Sequence, residues 1–207
     1  MAQNSYTPLQ NGIRKELSQW ITYTEQKPAV EMSDVVYCFW TLKTDVSLEY
    51  DFIYTVMPDA CIDIVFNATD SSEPIIMTPK IEVETINLGK EFHYTGIRFK
   101  PGVFNVIINV SDIVGKQESL KKVIGEFVSW PDADLQNERT IQKQYLVLAK
   151  LVNEMMRTLI IERNPFIENV IRGMQYGLSI NAIAQQVGYS TRQLRRKVMA
   201  QTGFSPV

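Results

Sequence analysis

Hydrophobic and polar positions alternate through much of the first half of the chain. Between residues 48 and 57 every second side chain is apolar or aromatic, and residues 61–66 repeat the alternation. Residues 35–42, VVYCFWTL, form a nearly continuous apolar run, which is typical of a strand that is buried on both faces. Turn signals such as Pro58-Asp59 separate these segments. Many short strands at close intervals predict a small β-barrel or β-sandwich.

The pattern becomes helical after Ser111, and its longest regular part lies between residues 141 and 159. Six apolar side chains there follow spacings of 4, 3, 4, 3 and 4 residues: Ile141, Tyr145, Leu148, Val152, Met155 and Leu159. A mean repeat of about 3.5 residues is that of a helix with a coiled-coil seam. Two interpretations remain open, a helix that packs on its own β-rich domain and a seam between two copies of the chain.

Residues 179–206 contain a pattern of two short helices. The first has one apolar face, formed by Ile180, Ile183, Ala184 and Val187, and Gly188 ends it with a tight turn. Ser190 can cap the second helix, with Gln193 completing a capping box. In that helix Leu194 and Val198 lie on one face, opposite Arg192, Arg195 and Arg196. The pattern favours a DNA-binding helix-turn-helix over an ordinary helical hairpin of the core.

This stretch also carries a family resemblance. The matching positions are Ala184, Gly188, Tyr189, Ser190, Gln193, Leu194, Arg196 and residues 203–206, GFSP. Together with the approach segment from Asn164, they resemble the first helix-turn-helix of AraC-family transcription regulators. Members of that family continue into a second helix-turn-helix, whereas this sequence stops at Val207, so we expect it to be a truncated form.

The resemblance implies roles for the polar side chains of the second helix. In the family, positions matching Arg192, Arg195 and Arg196 commonly face DNA bases. Those matching Thr191 and Lys197 are expected to contact phosphate. The implied partner is double-stranded DNA.

A second, less sharp resemblance covers the β-rich half. Tyr23, Pro28, Cys38-Phe39-Trp40, Pro58-Asp59, Arg98-Phe99 and Pro101-Gly102 look like the N-terminal domain of one branch of AraC-family regulators. That branch usually has a glycine where this chain has Ala60. The resemblance implies a sensor domain, cupin-like in many relatives, that responds to a small-molecule effector. The family's habit of dimerising through helices favours the dimer seam and a homodimer.

Aromatic side chains of the predicted strands are candidates for lining a ligand pocket, and one arginine stands among them. The candidates are Tyr37, Phe39, Trp40, Tyr54 and Arg98. Most aromatic residues in such strands are simply core. An unpaired guanidinium in an apolar strand is costly, so Arg98 must meet either an anionic ligand or a carboxylate, and the ion pair is favoured. Its candidate partners are Asp59, Asp63 and Glu49.

Charge is distributed unevenly along the chain. Residues 165–207 hold five basic side chains and one acidic side chain, a charge of +4. The rest holds 16 basic and 22 acidic side chains, a charge of −6. A basic C-terminal segment on an acidic body fits a module that presents only that segment to a polyanion.

The residues needed for several kinds of chemistry are missing from the sequence. His93 is the single histidine, which excludes a site with two or three imidazole ligands. There is no zinc-type cysteine spacing, phosphate-binding glycine motif or nucleophile elbow. We therefore expect no catalytic residues, no metal and no cofactor. Two cysteines within apolar runs, no signal peptide and no long apolar run predict a cytoplasmic protein without membrane contact.

These patterns predict an α+β protein of three parts. Residues 1–112 form a β-rich ligand-sensing domain, 113–164 a helical dimerisation segment, and 165–207 a partial AraC-type DNA-binding domain. The predicted function is sequence-specific transcription regulation in response to a small molecule. The alternative is a metal-independent small-molecule-binding protein or enzyme whose helical tail is structural and binds no DNA.

Overall fold

A computed structural model of the chain describes residues 19–69, 73–104 and 140–206, with Val110, Val114, Gln117–Ser119 and Leu135. The strands are β1 (Ile21–Gln26), β2 (Val36–Thr44), β3 (Ile53–Val56), β4 (Ile62–Asn67), β5 (Ile75–Met77), β6 (Glu84–Asn87), β7 (His93–Phe99) and β8 (Gln117–Ser119). A short 3-10 helix, Val30–Met32, precedes β2. The α-helices are α1 (Ile141–Arg157), α2 (Pro165–Gln175), α3 (Ile180–Gln186) and α4 (Thr191–Thr202). The α+β class predicted from the sequence is confirmed.

The strands form two separate antiparallel sheets. The large sheet has the order β1-β2-β7-β4-β5-β8, and the small sheet pairs β3 with β6. Within the described residues β1 and β8 are the edges of the large sheet and do not pair with each other, so the barrel alternative of the predicted barrel or sandwich is wrong. Closure needs every strand to pair on both sides. Here β3 and β6 pair only with each other, which leaves the large sheet open.

Side chains of the large sheet alternate between two packed faces. One face presents Ile64, Ile97 and Phe99 to α1. The other presents Trp40, Leu42 and Val65 to apolar side chains that include Phe52 and Tyr54 from the β3 region. Because successive strand residues point to opposite faces, both faces are apolar and both need cover. The result is three layers, with the large sheet between α1 and the small sheet.

The predicted seam of α1 lies inside this arrangement. Tyr145, Leu148, Val152 and Met155 are each at most 4% exposed and pack on the large sheet of the same chain. The ring of Tyr145 stacks on Phe39 with 6.0 Å between centroids. A face that is buried within its own chain cannot serve as a seam between copies, so the dimer-seam interpretation does not hold for these side chains. The alternative, a helix that packs on its own β-rich domain, describes the structure.

The two end positions of the predicted seam behave differently. Ile141 is the first residue of α1 and packs at the margin of the same core. Leu159 lies after the helix, which ends at Arg157; it is 60% exposed and adopts a left-handed backbone with a φ of 57°. The 3.5-residue repeat of apolar positions in the sequence therefore continues past the last residue of α1.

The segment that precedes α1 contains a strand where the sequence predicts helix. Residues 117–119 form β8, which pairs antiparallel with β5. An open strand edge has unpaired backbone groups, and β8 supplies partners for those of β5. Residues 120–134, which belong to the segment predicted to be helical after Ser111, lie outside the described residues. In the part of the chain that is described, no helix combines the length and hydrophobicity needed to cross a membrane.

Helices α2, α3 and α4 form a separate apolar cluster. Its buried members are Ile167 and Val170 of α2, Ile183 and Ala184 of α3, and Leu194 and Val198 of α4. Each helix has a side-chain cap at its N-terminus, and α4 has the complete capping box predicted from the sequence. The turn between α3 and α4 passes through a glycine with a φ of 74°, as the tight-turn prediction requires.

Candidate functional site

A cavity of about 160 Å³ lies between the large sheet and the small sheet. Strands of the large sheet contribute Tyr23, Trp40 and Tyr94 to its wall, and β3 contributes Tyr54. Gly96 of β7 makes room beside it: a Cβ atom there would stand 2.6 Å from the indole ring of Trp40. The cavity is therefore mostly apolar and aromatic, which is typical of a small-molecule site.

A buried ion pair lies in the wall of the cavity. Asp63 of β4 and Arg98 of β7 are direct cross-strand neighbours, and each is 7% exposed. Arg98 Nε donates to both carboxylate oxygens at 3.1 Å, and its Nη2 donates to Oδ2 at 3.2 Å. Trp40 Nε1 also donates to Asp63 Oδ1, at 2.7 Å. The ion pair favoured from the sequence is present, with Asp63 as the partner.

The charge state of this pair follows from its surroundings. Burial alone lowers the pKa of Arg98, but the carboxylates of Asp63 and Asp59 more than offset it and hold that pKa above its ordinary value. The guanidinium thus stays protonated throughout the physiological range. Burial also raises the pKa of Tyr54 to about 12, so this phenol is neutral there.

Asp59 is the unusual group of the cavity. Its Oδ1 accepts a hydrogen bond from the backbone N–H of Cys61 at 3.0 Å, which fixes the turn before β4. Its Oδ2 is buried and has no hydrogen-bond partner in the described part of the chain. Burial raises the pKa of Asp59 to about 6, although the nearby Arg98 acts in the opposite direction. A half-buried carboxylate with one unpaired oxygen can accept a hydrogen bond from a ligand.

Replacing Asp59 with asparagine is expected to stabilise the protein at pH 8 by about 1–3 kcal/mol. In the folded protein the pKa of Asp59 is about 6, above its ordinary value of 3.8. Proton binding by Asp59 therefore adds to the free energy of unfolding below pH 3.8, and this added stability is lost as the pH rises through 6. Asparagine keeps an acceptor for the Cys61 N–H and has no charge to bury. Urea unfolding at pH 8 and pH 4.5 measures the difference, which should shrink at the lower pH; a pH-independent difference would contradict the assignment.

Three of the five predicted ligand residues line the cavity. These are Trp40, Tyr54 and Arg98. Phe39 points to the opposite face and packs under α1, and Tyr37 is partly buried beside the cavity without lining it. The alternation of β2 places Phe39 and Trp40 on opposite faces, so both could not line one pocket.

Other residues of the cavity wall were not among the predicted ligand residues. Tyr94 lies four positions before Arg98 on β7, so strand alternation alone places the two on one face. Met77 and Lys80 also line the cavity, and Lys80 Nζ pairs with Glu84 at 2.6 Å. Met77 is the last residue of β5 and Lys80 follows that strand, and no sequence signal distinguishes the two residues as part of a pocket wall.

The region that builds the cavity also carries the one similarity that comparison with known proteins gives. Residues 24–113 match the model of a domain of unknown function, DUF6597. No curated protein and no solved structure matches the chain. The DUF6597 region contains every residue that lines the cavity except Tyr23. It ends before α1, so helices α2 to α4 lie outside the match.

The outer surface of α4 is a second candidate site. Arg192, Arg195 and Arg196 are exposed, whereas Leu194 and Val198 on the opposite face are at most 6% exposed. Among the described residues none of these arginines takes part in an ion pair or a side-chain hydrogen bond. Three cationic side chains of one short helix thus face solvent together, as the helical spacing predicts.

The other two predicted DNA contacts are already engaged within the chain. Thr191 donates its hydroxyl to Asn181 Oδ1 of α3 at 2.9 Å. Lys197 Nζ donates to the hydroxyl of Tyr189 at 2.9 Å and lies 4.5 Å from the ring centroid of Phe166. These contacts hold the three helices together. The phosphate roles of Thr191 and Lys197 stay predictions.

The buried side chain of Asn164 joins the helical module to the β-rich part. Asn164, only 5% exposed, donates from Nδ2 to the carbonyl of Gly102 at 2.8 Å and to Gln201 Oε1 of α4 at 3.2 Å. Its Oδ1 accepts from the N–H of Ile167 and caps α2. A Cβ at Gly102 would stand 2.7 Å from Ile167 Cγ1, so the two parts are in close contact.

The described residues contain no group of three His, Cys, Asp or Glu side chains placed to hold a metal ion. His93 of β7 is half-buried, and burial lowers the pKa of its imidazole. The chemistry that this part of the chain offers is binding through aromatic surface, one free carboxylate oxygen and exposed guanidinium groups.

Proposed function

We propose that this protein is a DNA-binding transcription regulator of the AraC type whose DNA affinity responds to a small molecule in the cavity. It acts in the cytoplasm and catalyses no reaction. The observation that carries the proposal is the face of α4 that presents Arg192, Arg195 and Arg196. It belongs to a capped helix that packs its other face on α2 and α3.

The dimensions of α4 suit the major groove of DNA. A helix of 12 residues is about 18 Å long, and the groove, about 12 Å wide, admits one helix. In a helix-turn-helix the N-terminal part of the second helix contacts base edges, and the three arginines lie in the first half of α4. Arginine is the side chain that most often reads guanine, through its O6 and N7 atoms.

The junction at Asn164 supports communication between the cavity and α4. Arg98 in the cavity wall and Gly102 belong to one continuous stretch that runs out of β7. Asn164 binds both Gly102 and Gln201 of α4. A ligand that shifts the end of β7 would therefore change the position of the helical module. In this proposal the helical module has two positions relative to the β-rich part, and the ligand acts by binding more tightly to one of them.

We also propose that the protein binds DNA as a homodimer. One module of this size makes few phosphate contacts, so a single copy would bind weakly and lose affinity steeply with salt. Two linked modules on adjacent half-sites would recover affinity through effective concentration. The interface would lie outside the inner face of α1, which the large sheet covers.

Selection from a random duplex pool tests this function directly. The full chain is immobilised, bound duplexes are amplified over several rounds, and the enriched sequence is compared with a scrambled version at two salt concentrations. We expect an enriched motif with tighter binding than the scrambled duplex at both salt concentrations. Equal, salt-sensitive binding to both duplexes would show that the arginine face binds polyanions without sequence preference, and would contradict sequence-specific regulation.

A second candidate function is a small-molecule-binding protein or metal-independent enzyme with a structural helical tail. The half-buried Asp59, with its pKa of about 6 and its unpaired Oδ2, favours it, because a perturbed carboxylate in a cavity can act as a general base. The arginine face separates the candidates. If the protein is a regulator, neutralising these arginines removes DNA binding. If it is an enzyme, the same change leaves its turnover unchanged.

A further inference from the structure

We propose that the cavity binds an alkylamine that carries one aromatic ring, with Asp59 accepting a hydrogen bond from its ammonium group. This inference names the effector class of the proposed function and rests on its sensory part. Binding to the cavity is measured without DNA, so it can fail or succeed independently of DNA recognition.

The size of the cavity limits the ligand to about one ring. Its volume is about 160 Å³. An engineered cavity of about 150 Å³ in another protein accommodates benzene, which sets the scale for one six-membered ring. A steroid or a nucleotide is several times larger and would not fit between the two sheets.

The lining favours an aromatic ring as the body of the ligand. Tyr23, Trp40, Tyr54 and Tyr94 surround the space, together with aliphatic side chains such as Leu42 and Ile86. Aromatic ligands pack against aromatic side chains with additional stabilisation beyond area burial. The faces of these rings also attract a cation, which an ammonium group supplies.

Charge selects the amine over a carboxylate. Each cation of the wall has a carboxylate partner, Arg98 with Asp63 and Lys80 with Glu84. Asp59 Oδ2 is the buried carboxylate oxygen without a hydrogen-bond partner in the described cavity wall. An ammonium group would give Asp59 a charge-assisted hydrogen bond, whereas a ligand carboxylate would need Arg98 or Lys80 to leave its partner.

Several titratable or charged groups from the surrounding elements line the same cavity as Asp59. They are Arg98 of β7, Asp63 of β4, Cys61 before β4, Tyr54 of β3, Tyr23 of β1, Tyr94 of β7 and Lys80 after β5. The pKa values of Tyr23 and Tyr54 are raised by burial, so these phenols stay neutral near pH 6. Burial also raises the pKa of Asp63, and Arg98 acts in the opposite direction, so a change between pH 5 and pH 7 is assigned to Asp59 only where the variant Asp59→Asn abolishes it.

The experiment compares three probes of the same ring on the full chain: benzylamine, benzyl alcohol and benzoate. Isothermal titration calorimetry at pH 7.5 measures each affinity. Benzylamine should bind about tenfold or more tighter than benzyl alcohol, because only its hydrogen bond to Asp59 is between two charged groups. Benzoate should bind most weakly. A ranking with benzoate first would assign the site to anions and overturn the proposal, as would the absence of benzylamine binding.

The variant Asp59→Asn isolates the carboxylate. Its side-chain amide oxygen can still accept from the Cys61 N–H, so the turn is kept, and circular dichroism checks the fold. Benzylamine affinity should fall at least tenfold, and benzyl alcohol affinity should change less than threefold. If both probes lose the same factor, or neither does, Asp59 is not the acceptor.

The pH dependence gives a measurement on the unaltered protein. Below the Asp59 pKa of about 6, each pH unit removes about nine-tenths of the remaining carboxylate. Benzylamine affinity should therefore fall about tenfold per unit below pH 6, while benzyl alcohol affinity stays level. A benzylamine affinity that is flat between pH 7.5 and pH 5 would contradict the role of Asp59.

Discussion

Replacing Arg98 with methionine is expected to destabilise the protein by about 3–5 kcal/mol, which is a large part of the stability of a small domain. The substitution leaves Asp63 buried at 7% exposure without the three hydrogen bonds from the guanidinium. A buried carboxylate that loses its cation either stays charged at high cost or takes up a proton. Urea unfolding monitored by tryptophan fluorescence measures the loss.

Two variants control for this prediction. The double substitution Arg98→Met with Asp63→Asn removes both charges and keeps an acceptor for Trp40 Nε1, so most of the lost stability should return. Arg172→Met changes an exposed arginine on α2 and should cost less than about 0.5 kcal/mol. If Arg98→Met costs no more than Arg172→Met, the ion pair contributes little to stability.

Neutralising Arg192, Arg195 and Arg196 together is expected to weaken binding to a selected DNA site at least 100-fold. Each arginine that reads a base through two hydrogen bonds contributes about 1–3 kcal/mol, so three of them exceed the ~2.7 kcal/mol that corresponds to a factor of 100. These side chains project into solvent, so their replacement by alanine should leave the fold intact. Fluorescence anisotropy with labelled duplexes measures the affinities.

Single variants separate base reading from general attraction. Arg195→Ala should weaken binding to the selected site more than to scrambled DNA and flatten the preference for one base. Arg172→Ala, which removes one exposed positive charge from α2, should weaken both duplexes by a similar, smaller factor. Equal losses on both duplexes for Arg195→Ala would show that this arginine acts through charge alone.

The helix pair at residues 180–202 was predictable because its signals are local. The cap at Ser190, the turn glycine at 188 and the apolar face of Leu194 and Val198 lie within a few residues of one another. Local hydrogen bonds and a 3.6-residue repeat depend on little beyond the segment itself. These local signals do not identify DNA as the ligand, because a positively charged surface can attract many different anions.

The layers of the β-rich part depend on contacts that the sequence pattern does not contain. The apolar repeat in α1 shows that one face of the helix is buried. The repeat is the same whether a second helix or a sheet packs on that face. The sequence limited the partner of Arg98 to three carboxylates, and the pairing of β4 with β7 selects Asp63. The hydrogen bond from the Cys61 N–H to Asp59 is typical of a turn aspartate, whereas the burial of the unpaired Oδ2 depends on how distant elements pack around it.

The contact at Asn164 has a consequence for exchanging parts between proteins. A chimera that joins this β-rich part to a foreign helical module would keep the Gly102 carbonyl and lose the amide that binds it. The foreign module would also need a side chain in place of Gln201 and a residue that fits beside Gly102. The two contacting surfaces must therefore be transferred together. In a chimera the residues Gly102, Asn164, Ile167 and Gln201 should all come from the same parent protein.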